Sequence, residues 1–192
     1  MIRKFLSIVL AMMLCAAAFG AQAQTMGDGL GYQMDVDGGV FTVVSPQTYD
    51  LLEESGFLPS LAGVGVDAAY FEHYDERVFD LGFCMDGTYG NLIVRLISKE
   101  TSEGLTLEDY YEECETSLIP GYVRNGMTIL FGPEIAAIGG REMVGYGLLI
   151  GGREMVQYMT INEHTGRWYN FTFTRIPKDV YMPMLESLKF GS

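Results

Sequence analysis

The sequence has 192 residues, 48% of them hydrophobic, 12% aromatic and 19% charged. That is too apolar and too aromatic for a disordered chain, and too short for more than one ordinary domain. With 25 acidic against 12 basic residues and a formal net charge of −13, the chain lacks the Lys/Arg surplus that binds phosphates, which excludes a nucleic-acid partner.

The chain opens with Arg3 and Lys4, an uncharged run from Phe5 to Phe19, and the small-x-small triplet Ala21-Gln22-Ala23. This is the layout of a secretory signal peptide, with cleavage expected between Ala23 and Gln24. The apolar run is shorter than the ~20 residues of a membrane span, so no transmembrane helix is expected in the mature chain. A lipid anchor on Cys15 is disfavoured because bulky Leu14 precedes it. Removing Arg3 and Lys4 makes the remainder still more acidic, so it stays soluble and is repelled by anionic lipid. The expected location is extracytoplasmic: periplasm, cell surface or medium.

Residues 24–39 are rich in Gly and Asp and read as a flexible lead-in, leaving 40–192 as one domain. The β-branched run Val40-Phe41-Thr42-Val43-Val44, stopped by Ser45-Pro46, predicts a strand. A short helix is predicted over about 48–54 and a short strand near 67–71. From Val78 to Met85, Phe79, Leu81, Phe83 and Met85 alternate with polar or small residues, and Leu92 to Lys99 returns after the turn Asp86-Gly87-Thr88-Tyr89-Gly90. This is a predicted hairpin. Thr106 with Asp109 three residues on marks a helix start. Leu107, Tyr110, Tyr111, Cys114 and Leu118 follow as one apolar stripe, and Pro120-Gly121 is expected to end the helix.

The hexapeptide Gly139-Gly140-Arg141-Glu142-Met143-Val144 recurs as Gly151-Gly152-Arg153-Glu154-Met155-Val156. Two copies twelve residues apart are too few for a solenoid, so one hairpin turning at Gly151-Gly152 is the simpler account. Counting back from that turn sets Val156 opposite Gly147 and Tyr158 opposite Gly145. A further turn at Glu163-His164-Thr165-Gly166 leads into Arg167 to Arg175, where Tyr169, Phe171 and Phe173 alternate with Asn170, Thr172 and Thr174. The result is a three-stranded antiparallel meander with one aromatic face. Pro177 opens a last helical stretch, with Pro183 expected near its start or at a kink. The fold class is therefore α+β: an antiparallel sheet with helices packed on its faces.

This order of elements resembles the PsbP-like superfamily, which includes Mog-type proteins and LpqN- and DcrB-like envelope proteins. The residues that carry the resemblance are Phe41-Thr42-Val43-Val44-Ser45-Pro46, the Gly140 to Tyr146 and Gly152 to Tyr158 strands, Gly166-Arg167-Trp168-Tyr169-Asn170-Phe171-Thr172, and Leu185-Glu186-Ser187-Leu188. The resemblance implies a non-catalytic module that docks on a protein or binds a small ligand, with no catalytic residue to carry over.

The residues themselves leave alternatives. A small secreted hydrolase would need His73 or His164, the two histidines, beside a nucleophile and a carboxylate. A divalent-cation binder would use the cluster Glu72-His73-Tyr74-Asp75-Glu76. No glycine-rich phosphate loop precedes a helix, so no cofactor is expected. Export permits a disulfide between Cys84 and Cys114, although the pattern places them on differing faces and equally fits two separate thiols. Trp168 is the single tryptophan and falls opposite the aromatic face. If exposed, with Arg167 and His164 beside it, it would anchor a partner; if covered by the last helix, it belongs to the core.

Overall fold

The computed structural model describes residues 23–27, 30–37, 41–44, 78–84, 90–97 and 104–191. The expected leader 1–23 apart from Ala23, the helix over 48–54, the short strand near 67–71 and the turn Asp86-Gly87-Thr88-Tyr89-Gly90 apart from Gly90 lie outside the described residues, as does the Glu72-Glu76 cluster with His73. The described strands are β1 (Ala23–Met26), β2 (Tyr32–Asp37), β3 (Phe41–Val44), β4 (Val78–Cys84), β5 (Asn91–Ile97), β6 (Thr128–Ile138), β7 (Arg141–Ile150), β8 (Arg153–Asn162), β9 (Arg167–Thr174) and β10 (Lys189–Phe190). Seven form one sheet in the order β3-β4-β5-β9-β8-β7-β6, and β1-β2-β10 form a second. Every pairing is antiparallel.

The route of the chain explains the strand order. After β5 it runs through a helix to the far edge of the sheet, enters β6, and walks back through β7 and β8 until β9 pairs with β5. The meander thus holds four strands rather than the three read from the sequence. Its turns are local chemistry: Gly139, Gly140, Gly151 and Gly152 all have positive φ, which a two-residue turn matched to strand twist demands. The expected register holds, with Gly145 opposite Tyr158 and Gly147 opposite Val156. A Cβ on Gly145 would lie 2.4 Å from Tyr158 Cε1, and one on Gly147 would lie 2.4 Å from Phe131 Cε1. Rings from both neighbouring strands therefore lie on bare β7 backbone, and the ring over Gly147 is that of Phe131, its register partner on β6, rather than a side chain of Val156, its partner on β8.

The helical run between β5 and β6 consists of α1 (Leu107–Glu113), a π-helical turn (Cys114–Leu118) and α2 (Ile119–Arg124). Thr106 caps α1: its hydroxyl accepts from Asp109 N at 3.2 Å, and the Asp109 carboxylate accepts from Thr106 N at 2.8 Å. Those bonds hold the Asp109 carboxyl below the usual carboxylate range. The helix does not stop at Pro120-Gly121. Pro120 falls in the first turn of α2, where its missing N–H costs little, and the π-turn ahead of it absorbs the irregularity. The C-terminal helix, α3 (Lys178–Ser187), likewise runs through Pro183 without breaking.

The two faces of the large sheet are filled differently. On one, Tyr169, Phe171 and Phe173 join Leu92, Val94, Val156, Tyr158 and Met143 beneath Tyr181, Met184 and Leu185 of α3. The reading of 24–39 as a flexible lead-in is corrected here. Met26, Tyr32, Met34 and Val36 are buried in this same core, and Tyr32 meets the Tyr169 and Phe171 rings edge-on at 5.5 and 5.9 Å. The small sheet closes the aromatic face, held by Asp35 N donating to Ser187 Oγ at 2.9 Å. On the other face, Val144, Tyr146 and Leu148 pack under Cys114 and Ile119, with Leu107, Tyr110, Leu118 and Tyr122 around them. Among the described residues no helix is long and apolar enough to cross a membrane.

Candidate functional site

The β8–β9 turn is built by Asn162. Its carbonyl accepts from Thr165 N at 3.2 Å and Gly166 N at 2.8 Å, while its Oδ1 accepts from His164 N at 3.0 Å. Such an Asx arrangement fixes a turn without a core. Asn162 is itself buried, and its Nδ2 donates to Gly191 O at 3.3 Å, tying the turn to the C-terminal strand. Arg141 adds a second tie by donating to Leu188 O, with its guanidinium 5.2 Å from the centre of the Phe190 ring. His164 and Arg167 are exposed at this end of the sheet. Arg167 lies near Gly31 of the β1–β2 turn and beside the Tyr169 phenol. Burial raises that phenol's pKa, and the guanidinium pulls it partly back.

Trp168 does not join them. It is 3% exposed, and the Tyr110 ring of α1 meets it edge-on at 6.1 Å. Of the two alternatives the sequence left open for Trp168, the structure has the covered one, so the Trp168-Arg167-His164 anchor is corrected to an exposed Arg167-His164 pair beside a buried indole. The covering helix is α1, not the C-terminal α3. Alternation correctly set Trp168 on the face opposite the aromatic core, and among the described residues it is the crossover from β5 to β6 that brings a helix over that face.

Beneath α1 and α2 lies a group of phenols around a thiol. Tyr110, Cys114, Tyr122 and Tyr146 cluster there, with the Tyr122 and Tyr146 rings 6.2 Å apart. From Tyr146 a hydrogen-bond chain crosses three strands. The Tyr146 hydroxyl donates to Gln157 Oε1, Gln157 Nε2 to Thr172 Oγ1 at 2.9 Å, and the Thr172 hydroxyl to Asn170 Oδ1 at 2.7 Å. Tyr146, Gln157 and Thr172 share one register row. Counting from the Gly151-Gly152 turn would have found that row, although hydropathy alone does not single it out. In β5, Arg95 sits opposite Asn170 and is exposed, while Asn91, opposite Thr174, has a buried Oδ1 with no donor among the described residues.

The electrostatics oppose catalysis by this cluster. Burial raises the Tyr110 and Tyr146 phenols far above their ordinary range, so they stay neutral hydrogen-bonding groups. Burial also pushes the Cys114 thiol up from 9.0 to about 11, with a Tyr110 hydrogen bond pulling the other way. A nucleophilic cysteine needs the opposite shift. Cys114 is a free thiol; Cys84 lies in β4, opposite Phe41, and its side chain is outside the described residues. Among the described residues, no three His, Cys, Asp or Glu converge as metal ligands.

No protein-family model matches this sequence, nor does any curated protein. Among solved structures, cyanobacterial PsbP (CyanoP) from Synechocystis sp. PCC 6803 is similar at 13% identity and a TM-score of 0.50, covering 88% of this chain and 92% of its own. A Bacteroides thetaiotaomicron VPI-5482 protein matches at 11% identity and a TM-score of 0.41, over 85% of this chain and 46% of its own. The likeness to CyanoP is one of fold and does not select among Mog-type, LpqN-like or DcrB-like branches. With its antiparallel sheet, C-terminal meander and packed helices, the chain has a PsbP-like fold.

Proposed function

We propose that this chain is an exported, non-catalytic binding or accessory module of a bacterial envelope or the extracellular space, docking on a protein or small ligand. The observation that carries the reading is the hydrogen-bond chain from Tyr146 through Gln157 and Thr172 to Asn170. Tyr146 and Thr172 are buried and Gln157 and Asn170 half-buried, these polar groups are satisfied by one another, and their neighbours are phenols and a thiol held neutral. Satisfied networks of this kind rigidify a body, and the raised pKa values of Tyr110, Tyr146 and Cys114 do not activate those groups as acid, base or nucleophile. The PsbP-like fold supports the same reading by analogy, and the acidic charge and leader pattern support export.

The test has two parts. N-terminal sequencing of protein recovered from the envelope or medium should begin at Gln24; recovery of the whole chain inside the cell would overturn export. A panel of chromogenic esters, amides and glycosides should show no turnover above buffer. Turnover lost on His164→Ala would replace this reading with the hydrolase.

A further inference from the structure

Among the described strands β6 forms one edge of the large sheet: β7 pairs with one side of it, and no described strand pairs with the other. The two halves of that open edge differ. In the first half the register shifts between Ile129 and Phe131 and again between Phe131 and Glu134, and Pro133 has no N–H to offer. Bulges and proline are how sheet edges are protected from unwanted pairing. From Glu134 to Ile138 the pairing with β7 is regular and carries no such protection.

The Gly139-Gly140 turn fixes which groups point outward. A two-residue turn makes Ile138 and Arg141 a hydrogen-bonded pair, so the alternation of an antiparallel ladder directs the N–H and C=O of Ile135 and Ala137 away from β7. Four backbone groups therefore face outward along this half. Both residues are also exposed, Ile135 by 41% of its surface. The charge around them is one-sided. Glu134 is exposed on the same segment, α1 packs beside β6 with Glu108, Asp109, Glu112 and Glu113 exposed, and β6 has no basic residue. Arg141, just across the turn, is engaged with Leu188 and Phe190.

We propose that the Glu134–Ile138 edge is a docking site for an extended, basic segment of another exported protein, which adds to the sheet as an eighth strand. This rests on the binding-module reading and names its surface. Main-chain bonds to Ile135 and Ala137 would supply affinity, an alternating apolar side chain would pack on Ile135, and Lys or Arg would face the carboxylates. A second copy of the chain is disfavoured, because it would bring two acidic rims and two strongly negative bodies together.

The experiment titrates the purified protein with two synthetic peptides of equal charge, one alternating Lys with Val and one alternating Lys with Gly. The Lys-Val peptide should bind at least about tenfold tighter, because only it favours an extended strand. Ala137→Pro, which removes an outward N–H, should abolish that preference without shifting the melting temperature appreciably. Ile135→Ser, which keeps the charge, should weaken Lys-Val binding severalfold, and carries the test if the proline variant fails to fold. Equal affinity for both peptides, or a Lys-Val preference unchanged in a folded edge variant, would overturn the proposal. So would a concentration-dependent dimer that Ala137→Pro dissociates, since the occupant would then be a second copy. Envelope proteins captured equally by wild type and Ala137→Pro would remove the edge while leaving the binding-module reading in place.

Discussion

Replacing Trp168 by alanine separates a structural pin from a partner anchor. The side chain is 3% exposed and sits edge-on to Tyr110. An indole buries roughly 150–250 Å², which at about 25 cal/mol per Å² corresponds to roughly 4–6 kcal/mol of transfer free energy. Alanine retains part of that burial, and Trp→Ala changes in cores typically cost about 3–5 kcal/mol. In a domain of this size each kcal/mol lowers the melting temperature by about 2–4 °C, so the variant should melt roughly 10 °C lower. As the sole tryptophan, Trp168 also reports on itself. Wild-type emission should be blue-shifted and poorly quenched by iodide, and Tyr110→Ala should shift it red by admitting water. A melting temperature unchanged by Trp168→Ala, or native emission as accessible as free indole, would refute the reasoning and return Trp168 to the surface.

Three further outcomes are expected. Gln157→Leu removes the Gln157 acceptor from the Tyr146 hydroxyl, leaving it the Tyr110 and Tyr122 hydroxyls, and removes the donor from Thr172; it should cost about 1–3 kcal/mol by chemical denaturation, against about 1 kcal/mol for Tyr146→Phe. Stability should fall at alkaline pH. Tyr110, Tyr146 and Tyr158 have folded pKa values above their ordinary 10.0, and Cys114 rises from 9.0 to about 11. Their contribution is complete below the unfolded values and is lost as pH climbs toward the folded ones, at about 1.4 kcal/mol per pH unit for each group. Denaturation midpoints should therefore drop from about pH 9, and more steeply above about pH 10, with buried phenols ionising only on unfolding; a midpoint flat to about pH 11 would contradict this. Met34→Ala, at a position wholly buried in β2, should cost about 2–4 kcal/mol, whereas no measurable loss would favour the flexible lead-in read over 24–39.

The meander was legible because its instructions are local. Gly151-Gly152 specifies a two-residue turn, that turn sets the register, and the register puts Tyr169, Phe171 and Phe173 on one face and Trp168, Asn170 and Thr172 on the other. The Thr106 cap was readable for the same reason, since its partner Asp109 is three residues away. β6 escaped notice because Gly132-Pro133 and two register shifts interrupt its alternation. The β1–β2 hairpin was misjudged although Tyr32, Met34 and Val36 do alternate. What holds it lies far off in sequence: the Tyr169 and Phe171 rings, Ser187, and the pairing of β10 with Tyr32 and Gln33.

The candidate site divides along the same line. Amino-acid order alone determined the turns, the alternation and the acidic charge, because each acts over a few residues or over the whole chain. Tertiary structure decided which helix covers Trp168, which phenols gather around Cys114, and which half of β6 is left open. Those outcomes depend on the route from β5 across the sheet to β6. Such long-range packing turns an indole that pattern alone leaves ambiguous into part of the core, and leaves Ile135 and Ala137 at the rim.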